Sequence, residues 1–211
     1  MATPSASVVS ALVQYFPKAA TLTEEHADRL ALHLACAADG QGPDNVIVKK
    51  LVAANSSAVE AVDKYKKLPV HIAAAFEPAT DYAVAGVRET IVTLLNAAPS
   101  TAAATDWRDM TPRHIACSRS LPSTAVVIAM LRANALAARV RDDEGDLPLH
   151  LACRRHCVAG DTGGGVKTRR MSQPQVDTSE GFYLDDEEVD ARVVSALLHV
   201  HPAGAQAVDS W

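Results

Sequence analysis

Apolar residues in this chain gather into short blocks that recur in a fixed order. One block has an apolar residue on either side of a histidine and ends in alanine; the other, some way further on, closes on an apolar pair. The clearest first block is Asp146-Leu147-Pro148-Leu149-His150-Leu151-Ala152-Cys153. Its imperfect copies are Arg29-Leu30-Ala31-Leu32-His33-Leu34-Ala35-Cys36, Lys67-Leu68-Pro69-Val70-His71-Ile72-Ala73-Ala74 and Met110-Thr111-Pro112-Arg113-His114-Ile115-Ala116-Cys117. The histidines are 38 (33 to 71), 43 (71 to 114) and 36 (114 to 150) residues apart, so the chain is a repeat with insertions.

The spacing is steadier when counted backward. An acid lies eight residues before each histidine, at Glu25, Asp63, Asp106 and Asp142. Eleven residues before the last three acids come Val52, Leu95 and Leu131, each the second member of an apolar pair, and Leu198 stands eleven before Asp209. Length variation therefore falls between the two blocks. Each repeat is expected to open at its acid with a turn, form a first helix through the histidine block, and form a second helix ending near the apolar pair.

In chain order, residues 8 to 16 are expected to be the second helix of a repeat whose first half is absent. Pro17, Pro99 and Pro202 each follow a second helix, where proline cannot continue it. The first full repeat is expected to bury Leu32, Leu34 and Ala35 on its first helix, with Val46, Ile47, Lys50 and Leu51 marking the second. The second repeat starts its first helix at Pro69, carries an inter-helix insertion from Phe76 to Val87, and has its second helix at Arg88–Leu95. In the third, Thr111-Pro112 supplies a capping hydroxyl and a preset φ. In the fourth, the first helix is expected to end near His156 and the second to run from Ala191 to Leu198. Between them a polar, glycine-containing segment of about 158–189 holds too little apolar surface to order itself.

This arrangement resembles the ankyrin repeat, on the strength of the Pro-x-His-hydrophobic-Ala core and the acid that opens each turn. The resemblance implies a mainly α, helix-turn-helix solenoid with short hairpin loops, four repeats plus terminal half-repeats in one domain over 1–211. The expected divisions are a half-repeat at 1–24 and repeats at about 25–62, 63–105, 106–141 and 142–208. The sequence departs from the family where leucine replaces threonine at Leu30, Leu68 and Leu147, and where Gly145 alone supplies the hairpin glycine. Both ends of the sequence fall inside a repeat, as in a fragment of a longer array or a chain with imperfect ends.

Composition agrees with a helical stack. Of 211 residues 48% are hydrophobic and only 4% aromatic, and small side chains let helices approach closely. A formal net charge of −5 speaks against a nucleic-acid surface. No apolar run is long enough for a membrane helix and Met1-Ala2-Thr3-Pro4-Ser5 lacks a positive n-region, so a cytoplasmic or nuclear protein is expected. Cys36, Cys117 and Cys153 share one motif position and are expected to be small buried hydrophobes.

Several groups invite a chemical role. Stacked repeats would set the four histidines roughly 10 Å apart, too far for joint ligation, so each is expected to bond neighbouring backbone. Cys153, His156 and Cys157 share a helical face, and His199 and His201 could complete a zinc site; no Cys-x-x-Cys pair supports it, and no cofactor or catalytic residue is expected. Gly163-Gly164-Gly165 with Lys167-Thr168 lacks the strand and apolar helix that flank a phosphate loop. Arg169-Arg170-Met171-Ser172 fits a basophilic kinase pattern, which makes Ser172 a candidate phosphorylation site.

What remains is surface. In the ankyrin family partners usually dock on the concave face of hairpin tips and first helices. The matching tip residues are Lys64 and Tyr65, Trp107 and Arg108, Asp143 and Glu144, and Ser210 and Trp211, and the first helices add Arg113, Arg119, Arg154 and Arg155. Aromatic and arginine side chains dominate many interfaces. The resemblance thus implies a non-enzymatic binding module, a monomer or part of a longer array, for a protein partner acidic where it meets Tyr65, Trp107, Arg108 and Arg113. A repeat region of a larger enzyme or channel is the rival expectation, and zinc binding through Cys153 and Cys157 the second.

Overall fold

The computed structural model describes residues 6–37, 42–77, 80–119, 124–154 and 193–199. It is mainly helical: α1 (Ala6–Tyr15), α2 (Ala31–Cys36), α3 (Asn45–Ala54), α4 (Pro69–Ala74), α5 (Asp81–Ala97), α6 (Pro112–Cys117), α7 (Thr124–Ala133), α8 (Pro148–Arg154) and a helical segment over 193–199. Among the described residues the sole extended pairing is the isolated antiparallel bridge between Thr23 and Leu30.

Two rows build the stack. The short helices α2, α4, α6 and α8 pack each on the next, and the longer helices α1, α3, α5 and α7 do the same beside them. The first three short helices also pack on the long helix that follows, α2 on α3, α4 on α5 and α6 on α7. A brief 3₁₀ turn follows each long helix, at Pro17–Thr21, Ser56–Val59, Pro99–Ala103 and Ala135–Arg139. Aligned on those turns, Ile47, Thr90 and Val126 occupy one position, and Leu51, Leu94 and Met130 another; all six are buried. Val193 and Leu197 extend the same apolar core.

Six residues are too few to hold a helix alone, so the short helices depend on their ends and on packing. Pro69, Pro112 and Pro148 each start one with φ preset and no amide to satisfy. The motif histidine, two residues further on, turns its Nδ1 back to accept the backbone N–H that precedes the helix: Leu30 to His33 (3.2 Å), Leu68 to His71 (3.1 Å), Thr111 to His114 (3.1 Å) and Leu147 to His150 (3.1 Å). Here imidazole does the work that Glu or Gln does in a capping box.

Several expectations need correction. Leu34 is exposed; Cys36 fills the core in its place, because each helix buries a stripe and Leu34 lies off it. The first turn opens at Glu24, not Glu25: its backbone closes from Glu24 to Arg29, one residue longer than the turn from Asp63 to Lys67, and counting back from His33 misses by that residue. Part of the Phe76–Val87 insertion is helix, since α5 starts at Asp81 behind Thr80, whose Oγ1 accepts from Ala83 N–H (3.2 Å). The added turns lie on the preceding loop, where Gly86 approaches the Pro43 carbonyl so closely that a Cβ would sit 3.2 Å from it. Cys153 is exposed, whereas Cys36 and Cys117 are buried and burial pushes both thiols up to about 12. His156, Cys157, the 158–189 segment with Gly163, Lys167 and Ser172, and His201, Pro202 and Trp211 lie outside the described residues.

Candidate functional site

The edge of the stack where short helices begin carries the turns, and each turn is built around its acid. One carboxylate oxygen of Asp63 accepts the N–H of Tyr65 (2.8 Å) and Lys67 (2.9 Å). Asp106 does so for Arg108 (2.9 Å) and Met110 (3.1 Å), and Asp142 for Glu144 (3.1 Å) and Asp146 (2.8 Å). Five residues before the histidine the chain passes through positive φ, at Asp28 (54°), Lys66 (55°), Asp109 (54°) and Gly145 (82°). Only the last is glycine, so three turns hold an L-residue in the left-handed region.

Neighbouring turns are tied tip to tip: Lys64 N–H donates to the Ala27 carbonyl (3.0 Å), Trp107 to Tyr65 (3.3 Å) and Asp143 to Arg108 (3.1 Å). A second set of ties runs from the histidines. With Nδ1 accepting, the ring hydrogen is on Nε2, which donates into the following unit. His33 meets the Ala61 (3.1 Å) and Lys67 (3.2 Å) carbonyls, His71 those of Ala104 (3.1 Å) and Met110 (3.2 Å), and His114 that of Asp146 (3.1 Å). Burial lowers the pKa of all three rings, that of His71 to about 4. Their expected backbone-bonding role is thus met, and they are structural clamps held neutral.

The row of tips displays Tyr65 and Trp107, 43% and 60% exposed, on adjoining turns. Each ring has a cation beside it: Lys64 Nζ is 5.2 Å from the centre of Tyr65 and Arg108 Cζ 6.0 Å from that of Trp107. Such contacts contribute about 0.5–1 kcal/mol at exposed sites and narrow the rings' freedom before any partner arrives. Lys64 Nζ also donates to the His26 carbonyl.

The arginines are placed differently from expectation. Arg113 is not on the surface: it is 1% exposed, and its Nη2 donates to the carbonyls of Met130 (2.8 Å) and Asn134 (2.9 Å) at the end of α7. It stands where Leu32, Val70 and Leu149 stand in the other units, a core position, and it satisfies carbonyls that a helix end leaves without intrahelical partners. Its Nε and Nη1 are buried without a hydrogen-bond partner, and burial lowers its pKa to about 10. Arg155 lies outside the described residues, and Arg108, Arg119 and Arg154 each meet a carboxylate. Arg108 bridges Asp143 (3.5 Å) and Glu144 (2.7 Å), Arg119 meets Glu77 (3.3 Å), and Arg154 meets Glu144 (3.7 Å) and the buried Asp146 (2.6 Å). Exposed pairs of this kind contribute about 0–1 kcal/mol each, but they leave the stripe of mixed charge.

Sequence reasoning missed these acids as the partners of the arginines. The available signal was Asp143 and Glu144 at the tip positions that Trp107 and Arg108 fill one unit earlier. Among the described residues no three His, Cys, Asp or Glu side chains are grouped to hold a metal ion, and no helix is long and apolar enough to cross a membrane. Compared with models of known protein families and with characterised proteins, the chain matches none.

Proposed function

We propose that the chain is an ankyrin-type solenoid of four repeats flanked by half-repeats, and that it is a non-enzymatic module binding a protein partner along its turn tips. Support for the fold comes from the two rows of helices, the turn before each short helix and the Pro-x-His block at its start. Support for the function comes chiefly from one observation: Tyr65 and Trp107 stand exposed on adjoining turns that are themselves tied together, in a chain with few aromatics. Their faces offer apolar area at little cost in ordering.

The arginines change the kind of partner this surface suits. Arg108 and Arg154 already hold carboxylates, so the partner contributes apolar and hydrogen-bonding groups against the two rings, with charge of both signs at the rim. Binding should then vary little with salt. The test is capture by the immobilised full chain beside a Tyr65→Ala, Trp107→Ala variant, with equal helicity of the two checked by circular dichroism. Loss of a buried aromatic anchor costs about 2 kcal/mol, roughly thirtyfold in affinity, so specific proteins should be retained by the first chain and lost from the second. Identical retention by both, or none by either, refutes the site.

A further inference from the structure

Successive long helices meet along seams that are closed differently. Aligned on the 3₁₀ turns, Lys50, Thr93 and Ala129 occupy one position and Glu89 and Ala125 another. Between α1 and α3, Lys50 Nζ donates to Ser10 Oγ (2.9 Å). Between α3 and α5, Thr93 Oγ1 donates to Asn45 Oδ1 (2.9 Å) and Asn45 Nδ2 to Glu89 Oε2 (3.2 Å). Among the described residues the seam between α5 and α7 has no such bond. Arg88 stands there where Asn45 stands one seam earlier, and across from it are Ala125 and Ala129, which carry no acceptor. With alanine in both places the seam opens into a groove of about 430 Å³, lined further by Val92 and Ile128 and, at its far end, by Arg132. Val92 is 39% exposed, and among the described residues neither arginine has a side-chain hydrogen bond or ion pair. Arg108, Arg119 and Arg154, by contrast, each hold a carboxylate of the chain itself.

We propose that this groove binds an extended acidic segment of a partner protein, with two carboxylates about four residues apart and an apolar side chain midway between them. The charge follows from the two unpaired guanidiniums. In the preceding seam the chain supplies Glu89 itself; here the acid is left to the partner. The spacing follows from the helices. In the same alignment Arg132 is level with Asn96, which lies eight residues beyond Arg88. At about 1.5 Å per helical residue, the two cations are anchored about 12 Å apart along the groove. An extended chain advances about 3.3 Å per residue, so four residues cover about 13 Å. Its side chains alternate between faces, so the first, third and fifth point the same way. The first carboxylate then meets Arg88, the apolar group meets Val92 and Ile128, and the second carboxylate meets Arg132. An α-helix, about 10 Å across, rests on the rim of so narrow a cleft instead of entering it. None of the lining residues belongs to a turn, so the groove is separate from the row of aromatic tips.

The test is fluorescence anisotropy of a labelled peptide with blocked ends, Gly-Glu-Ser-Val-Ser-Glu-Gly, titrated with the full chain. Saturable binding is expected, with a dissociation constant on the order of 100 µM that rises with added salt. Arg88→Gln and Arg132→Gln should each weaken it about fivefold, and a peptide with glutamine in place of both glutamates should not bind. Ala125→Glu puts a carboxylate where Glu89 lies in the preceding seam. It should engage Arg88 from within the chain and weaken binding at least as much, with helicity unchanged because position 125 is exposed. A chain with Tyr65→Ala and Trp107→Ala should bind the peptide as wild type does, so failure at the tips and failure at the groove are told apart. No saturation up to about 1 mM overturns the proposal. So does equal binding by the Arg88→Gln and Arg132→Gln chains, or equal binding of the glutamine peptide. Arginine-dependent binding of phosphatidylserine vesicles in preference to the peptide also overturns it and gives the groove to a membrane surface.

Discussion

Acid should loosen this stack well above the pH at which carboxylates titrate, and the histidines are the reason. In each of His33, His71 and His114 one ring nitrogen must accept and the other must donate, an arrangement open only to the neutral ring. Burial accordingly holds all three below the ordinary 6.5, His71 at about 4. An unfolded chain takes up those protons near pH 6.5 and the folded chain does not. The stability they confer is therefore complete above pH 6.5 and is lost as pH falls from there toward the folded values. For His71 the interval from 6.5 to about 4, at about 1.4 kcal/mol per pH unit, sets a ceiling of about 3 kcal/mol. The rings of His33 and His114, lowered in the same direction by burial, add to that slope. Urea unfolding followed by circular dichroism at pH 7.5, 6.5, 5.8 and 5.2 measures it. The midpoint should hold between the first two and fall steeply through the last two. His71→Gln should be less stable at pH 7.5 and show a shallower fall, with one fewer proton taken up. Equal midpoints at pH 7.5 and 5.2, or an unchanged slope in His71→Gln, would refute the clamp.

Two further predictions concern the backbone and the core. Lys66→Gly should raise stability by about 1 kcal/mol, since the left-handed region costs a non-glycine residue about 1–2 kcal/mol and glycine's extra freedom when unfolded returns part of the gain; Gly145→Ala should lower it by a similar amount, both read as shifts in urea midpoint. Arg113→Ala removes the donors to Met130 and Asn134 and empties a packed site, for a loss of about 2–4 kcal/mol in the same assay, whereas Arg113→Leu, matching Leu32 and Leu149, should recover most of it because no guanidinium is then buried with unpaired N–H groups.

The parts of the fold legible in the sequence are those fixed by local chemistry. The histidine block marks the start of each short helix because the ring caps within three residues and, in α4, α6 and α8, proline presets φ. Asp63, Asp106 and Asp142 mark the turns because each carboxylate is satisfied by amides two and four residues on. What depends on separate parts of the chain was hidden. Arg113 looks like a surface cation until its distance from the end of α7 is known. Arg108 and Arg119 look like free surface cations until Asp143, Glu144 and Glu77 are brought beside them from 35, 36 and 42 residues away in sequence.

The histidine clamps give the array a direction. The imidazoles of His33, His71 and His114 each reach toward the C-terminal neighbour. Peeling away the following unit strands a ring N–H that had been sealed from water, while peeling away the preceding one frees carbonyl oxygens and the backbone N–H groups of the exposed tip residues Lys64, Trp107 and Asp143, which solvent readily takes up. Loss of order at the C-terminal side should therefore travel inward unit by unit, whereas a cut at the N-terminal side leaves the next unit's own clamp engaged. Two truncations of equal length are unequal injuries: the stack behaves as a zipper with one pull-tab.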